Sequence, residues 1–376
     1  MAGETAKNSV SGWELIERNT TVRPNRIDHN FIWQSRDSIG QAHKRLGVKV
    51  LGDEPSIDRW FIKKPEEWER EERKTTPANV ILPALSFFLI AAFVIMMLLK
   101  FGSNVIKGRA KLRLLGMVAV ISFFAFSLKI LNELPSFMAS YFTFVPLKNW
   151  YIVEGITRTI TVLFYSIAAA VGVGAVMGTE PGRKMREKIP VRENILLSII
   201  AVFYTAGILS LLRWFEIAFN LPVRNPTIIL PAFLSSYFPV LSLPAQIIKK
   251  LCITFPLVII AYLWFRRKFT SDWKLFVAGA VAMVVLSFDS NRLFSEFVWS
   301  AVKYLVIFAG GWAIVKYLLK DDIPIYISAI LLAVPLYYAA QWLMCAGNSF
   351  FTLNAVVSAA FGVLLWLAAV LHFKST

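Results

Sequence analysis

The sequence predicts an all-α polytopic membrane protein of about eight to nine transmembrane helices, preceded by a small extramembrane α+β segment. Three observations carry this reading. Of the 376 residues 57% are hydrophobic, with 30 Phe and 12 Trp, which is more apolar surface than one soluble core consumes. Apolar runs of about 20 residues, the length that crosses a hydrocarbon layer of about 30 Å, recur from residue 78 to the end. Residues 1–77 contain no such run and nothing shaped like a signal peptide. The expected division is therefore 1–77, extramembrane, and 78–376, the membrane domain.

Within the first segment, "RLGVKVLG" (45–52) and "IDRWFIKK" (57–64) are rich in β-favouring residues and flank the turn composition Asp53-Glu54-Pro55-Ser56, so a hairpin is expected. Pro65 then stands where the first turn of a helix tolerates proline, and Glu66, Glu67 and Glu69 follow where the helix dipole favours negative charge. "PEEWEREERK" (65–74) is read as a charged helix leading to the first span.

Nine candidate spans follow, at 78–99, 112–131, 156–178, 195–212, 248–265, 275–288, 297–319, 323–344 and 353–373; the sixth is short. Nine crossings place 17 Lys and Arg on one side of the membrane and nine on the other, leaving out the N-terminal segment. The excess marks the cytoplasmic side, which puts the C-terminus inside and the N-terminal segment outside. The net charge of +16 is thus a topology signal and an affinity for anionic lipid headgroups, and no nucleic-acid partner is expected.

Ionisable residues in or beside spans are costly to bury and mark the places to search for function. Asp289, Arg292, Glu296 and Lys303 recur at three, four and seven residues and share one face of a continuous helix. That stripe reads as a polar path or a partner-docking face; the ordinary alternative is an ion-paired turn at the interface with Lys303 snorkelling. Lys129 with Glu133, Glu154 with Arg158, and Arg213 with Glu216 are further close pairs near span ends. Pro222, Pro226, Pro231, Pro239, Pro244 and Pro256 interrupt one stretch so often that "NPTIILPAFLSSYFPVLSLP" (225–244) is expected to be re-entrant or interfacial, with Pro231, Pro239 and Pro244 its markers. Gly174 and Gly178 have the GxxxG spacing that brings helices close, and internal packing is the favoured use. Cys252 and Cys345 both fall in apolar runs and read as packing residues.

"RPNRIDHNFIW" (23–33), "GQAHKRLGVKVLGD" (40–53), "RWFIKKPEEWERE" (59–71), "LNELPSFMASYFTFVP" (131–146) and "LLKDDIPIYISAILLA" (318–333) resemble segments of CPBP-type intramembrane metalloproteases, the family of CAAX-processing and bacteriocin-processing enzymes. The resemblance covers about half the chain in patches and implies a bacterial cytoplasmic membrane. That family's chemistry rests on a Glu-Glu-x-x-x-Arg motif, a Phe-x-x-x-His motif and a further His followed by Asn, because histidines hold a metal and a carboxylate activates the water on it. Here Glu66-Glu67 is followed by Arg70, one residue early, and Glu71 stands at the family's arginine position. His29, His43 and His372 are the only histidines, and none has phenylalanine four residues before it. No catalytic residue, metal site or cofactor is therefore assigned. The expected function is a non-catalytic membrane subunit or scaffold that docks a partner protein, resembling a protease membrane module without its active site. The alternatives are a transporter or lipid-handling protein and a divergent intramembrane peptidase.

Overall fold

Alternating apolar residues in the N-terminal segment form a four-stranded antiparallel meander in strand order β1-β2-β3-β4. Its strands are β1 (Trp13–Arg23), β2 (Arg26–Ile39), β3 (Ala42–Leu51) and β4 (Glu54–Lys63). The computed structural model describes residues 12–23, 26–73, 77–139, 141, 146–181, 189–219, 221, 236–287, 294–319, 322–344 and 349–374. Phe31, Trp33 and Ser35 are buried at every second position of β2, the period of one strand face. The sheet curls far enough for Trp13 of β1 to stand edge-to-face on Trp60 of β4 at 5.1 Å, although the two edge strands do not pair. The expected hairpin is β3–β4, but its turn is Gly52-Asp53, where Gly52 takes φ of +70°, and Glu54 already begins the next strand. Strands β1 and β2 are not evident from the sequence pattern. Charged and polar residues interrupt their alternation, and pairing supplies what local pattern lacks. Helix α1 (Glu66–Arg73) follows, with Arg70 and Glu66 at 3.8 Å, both exposed.

The chain divides into two units, Met1–Pro77 and Ala78–Thr376. The second is entirely helical among its named elements: α2 (Pro77–Ile106), α3 (Leu112–Asn132), the short α4 (Leu134–Ala139), α5 (Leu147–Met177) and α6 (Val191–Ala218). A 3-10 turn (Pro239–Ser242) leads into α7 (Leu243–Ile248), a π-helical segment (Lys249–Thr254) and α8 (Phe255–Lys268). Helices α9 (Asp272–Leu286), α10 (Phe294–Ala313) with its π-helical extension (Ile314–Leu319), α11 (Ile323–Leu343) and α12 (Ser349–His372) complete it.

Among the described residues eight helices are long and apolar enough to cross a membrane. The sixth expected span, α9, falls short: its 15 residues rise about 22 Å against a layer of about 30 Å. Both ends of α9 are tied to neighbouring helices. Asp272 at its start bonds Lys316 beyond α10 at 3.3 Å, and near its end the Val285 carbonyl accepts from Ser86 in the early part of α2. Phe276 packs on Phe308 at 5.4 Å and on Trp312 at 5.8 Å, which fixes α9 antiparallel to α10.

The interior is a set of small clusters rather than one large core, among them Met97, Val171, Ala175 and Ile260 between α2, α5 and α8. Leu243, Ala339, Trp342 and Ala355 form another between α7, α11 and α12. Outward-facing Leu, Ile, Phe and Val are abundant, as a lipid-facing surface requires.

The π segment has a local cause. Pro256 has no N–H, so the Cys252 carbonyl four residues earlier loses its helical donor, and the Phe255 N–H reaches back five residues to Lys250. The Cys252 carbonyl is left facing Gly172 of α5, so close that a Cβ there would overlap it.

Candidate functional site

The expected stripe divides. Asp289 and Arg292 lie outside the described residues. Glu296 begins α10, and Lys303, two turns on, turns toward α6. Its Nζ lies 2.9 Å from Glu216 Oε1, which also accepts from Trp299 Nε1 at 3.1 Å. The Glu216 side chain is 9% exposed and that of Lys303 30%. This is a clamp between two spans: Gly310 of α10 lies against Ile208 of α6 further along, so the two helices run antiparallel and close. Sequence spacing coupled Glu216 to Arg213, its chain neighbour, and could not find a cation 87 residues away. The one usable signal was depth, since Glu216 near the end of one span and Lys303 near the start of another fall at the same level when spans alternate.

Gly174 and Gly178 of α5 serve packing against α2 and α3. A Cβ on Gly174 would stand 2.7 Å from the Phe101 ring, and Gly178 lies against the Asn104 carboxamide. Asn104, fully buried, donates through Nδ2 to the carbonyls of Gly174 and Ala175, each at 2.9 Å.

Pro231 lies outside the described residues, whereas Pro239 and Pro244 are placed. Pro239 opens the 3-10 turn and Pro244 stands in the first turn of α7, where the missing N–H costs nothing. Residues 225–235 of the expected re-entrant segment lie outside the described residues; the run from Pro239 to Lys268 is long and apolar enough to span, and these two prolines stand at its start. Its orphan N–H groups are met by two buried asparagines. Asn132 Oδ1 accepts from the Phe238 N–H at 2.8 Å and its Nδ2 donates to Ser242 Oγ at 3.1 Å. Asn354 Oδ1 accepts from the Val240 N–H at 3.1 Å.

Beside this broken helix a cleft of about 120 Å³ opens between α3, α5 and the π segment, lined by Phe126, Lys129, Thr161, Tyr165, Gln246 and Lys249. Lys129 is held by Glu133 at 2.8 Å. Lys249 is exposed, its ammonium 5.5 Å from the Tyr165 ring centroid, and Tyr165 is itself stacked on Phe126 at 4.9 Å. At the same end of the unit Arg158 lies 3.8 Å from Glu154 and covers the Phe137 ring at 4.2 Å.

At the opposite end Asp272 ties three helices, accepting from Arg266 at 2.7 Å beside Lys316 at 3.3 Å. The hydrogen bond from Arg266, then that from Lys316, holds its carboxyl below the usual carboxylate range.

His29 lies 2.9 Å from Thr20 Oγ1 within the sheet, and His372 stands edge-to-face on Phe373 at 5.1 Å. Among the described residues no three His, Cys, Asp or Glu side chains converge as a metal site would require. Eight apolar helices with outward-facing apolar side chains define the chain as an integral membrane protein in contact with lipid. No family model, curated protein or solved structure matches it.

Proposed function

We propose that this chain is a non-catalytic membrane subunit that docks a partner protein through its N-terminal sheet. The observation that carries this reading is the apolar surface of that sheet. On the edge strands, Trp60 and Ile62 of β4 are 62% and 55% exposed, and Leu15 and Val22 of β1 are 46% and 77% exposed. Edge strands bearing large apolar side chains are poor neighbours for water and good templates for another protein. Support also comes from the helical unit, where Asn104, Asn132, Asn354, Glu216 and Lys303 are spent on holding helices together. Kinship with the CPBP-type membrane module, in a bacterial cytoplasmic membrane, is part of the proposal and rests on the patches of sequence resemblance. So does the orientation, with the N-terminal segment outside and the C-terminus in the cytoplasm, which rests on the Lys and Arg excess.

The test is gentle solubilisation of tagged protein from its native membrane, followed by mass spectrometry of what co-purifies in near-stoichiometric amount. The expected result is one membrane or periplasmic protein that is retained by the wild type and lost from Trp60→Asp and Ile62→Asp, with the variants still monodisperse. A solitary protein, or a partner indifferent to both substitutions, would overturn the reading.

A further inference from the structure

We propose that the cleft between α3, α5 and the π segment binds a phosphate group carrying one negative charge, presented by a phospholipid headgroup or as free phosphate. Charge sets the class of ligand. Lys129 is neutralised by Glu133 at 2.8 Å, and Lys249 has no carboxylate partner among the described residues, so the cleft carries one uncompensated positive charge. Size narrows it further. About 120 Å³ is room for about four waters at ~30 Å³ each, which suits a phosphate group and is well below the roughly 300 Å³ at which sites for larger metabolites begin.

The position of Lys249 is built, not incidental. It is the first residue of the π segment that Pro256 enforces, and Gln246, one turn earlier, lines the same cleft. The Tyr165 ring, fixed by its stack on Phe126, holds the ammonium over the opening. Thr161 donates its hydroxyl to the Thr157 carbonyl at 2.8 Å, so the donors left for an anion are Lys249, Gln246 and the remaining hydrogens of Lys129. Lys250 next door is equally exposed but does not line the cleft, and it provides the control.

The experiment uses the full chain, purified in mild detergent, with retained lipid counted by native mass spectrometry after exchange into mixed phosphatidylglycerol and phosphatidylcholine. Inorganic phosphate is tested separately for its effect on the melting temperature. The wild type, Lys249→Arg and Lys250→Met are expected to retain phosphatidylglycerol, and Lys249→Met to retain about fivefold less (roughly 1 kcal/mol). Retention of phosphatidylglycerol without a response to phosphate makes the source a lipid. A Lys249-dependent rise in melting temperature with phosphate makes it the free ion. The proposal fails if Lys249→Met behaves as wild type toward both probes, or if Lys250→Met loses as much as Lys249→Met, which would mean diffuse surface charge. Because Lys249 is exposed and its ammonium lies over a ring face, its loss is expected to leave the fold intact, and recovery by Lys249→Arg excludes misfolding as the cause.

Discussion

Glu216 and Gly172 are where single atoms decide how helices meet. Removing one partner of a buried ion pair leaves the other charge stranded, at a cost of about 3 kcal/mol, whereas a neutral isostere that keeps its hydrogen bonds costs about 1 kcal/mol. Lys303→Met is therefore expected to destabilise the helical unit by about three times as much as Glu216→Gln, which still accepts from Trp299. Denaturant titration in detergent checks this; equal losses would show that the pair is not coupled as described. Gly172→Ala drives a methyl into the Cys252 carbonyl and is expected to cost about 1–3 kcal/mol. Gly207→Ala, in the interior of α6 with open space around it, should cost nothing and stabilise by up to about 1 kcal/mol. Little of this was legible beforehand. GxxxG spacing drew attention to Gly174 and Gly178, while Gly172 matters because of a carbonyl freed by Pro256 on another helix, and no spacing within α5 carries that information.

Helices α8, α9 and α10 are joined at one end by Asp272. Its carboxyl is held below the usual range, so the ionised form is favoured in the fold, and its contribution is present above the unfolded carboxylate value of about 3.9 and fades as pH falls through the lower folded value. The melting temperature of wild type is thus expected to exceed that of Asp272→Asn at pH 7, and the difference to shrink as pH falls below about 3.9. A difference that stays constant as the pH is lowered would assign the effect to packing. Apolar length identified most helices correctly, because a run of 20 apolar residues has one stable arrangement in lipid. Of the proline-rich stretch, Pro239 and Pro244 stand in the first turns of a run long and apolar enough to span, where the missing N–H does no harm, and the residues before 236 lie outside the described ones. Strands β1 and β2 escaped notice because in a small sheet long-range pairing outweighs residue preference.

At the scale of the whole molecule the number of crossings sets which side of the membrane each chain end occupies. Among the described residues eight helices are long and apolar enough to cross, and α9, which is shorter, is tied to α10 at its start and to α2 near its end. Under the proposed orientation the fifteen residues of α9 cross with local thinning of the bilayer. Cysteines placed at Ser271, before α9, and at Ser290, in the segment between α9 and α10, in a variant lacking Cys252 and Cys345 should then be labelled from opposite sides, Ser271 from the cytoplasm. Labelling of both from one side would leave eight crossings and bring the two chain ends to the same side. The sequence by itself determined the class, an integral membrane protein with a small α+β segment before it, because composition and run length answer to the solvent and need no partner. Only the tertiary structure decided which polar residues meet. Glu216 finds Lys303, Asn132 finds Phe238, and Lys249 is turned into a cleft beside Tyr165, since each of these contacts joins residues tens of positions apart and is settled by which helices lie side by side.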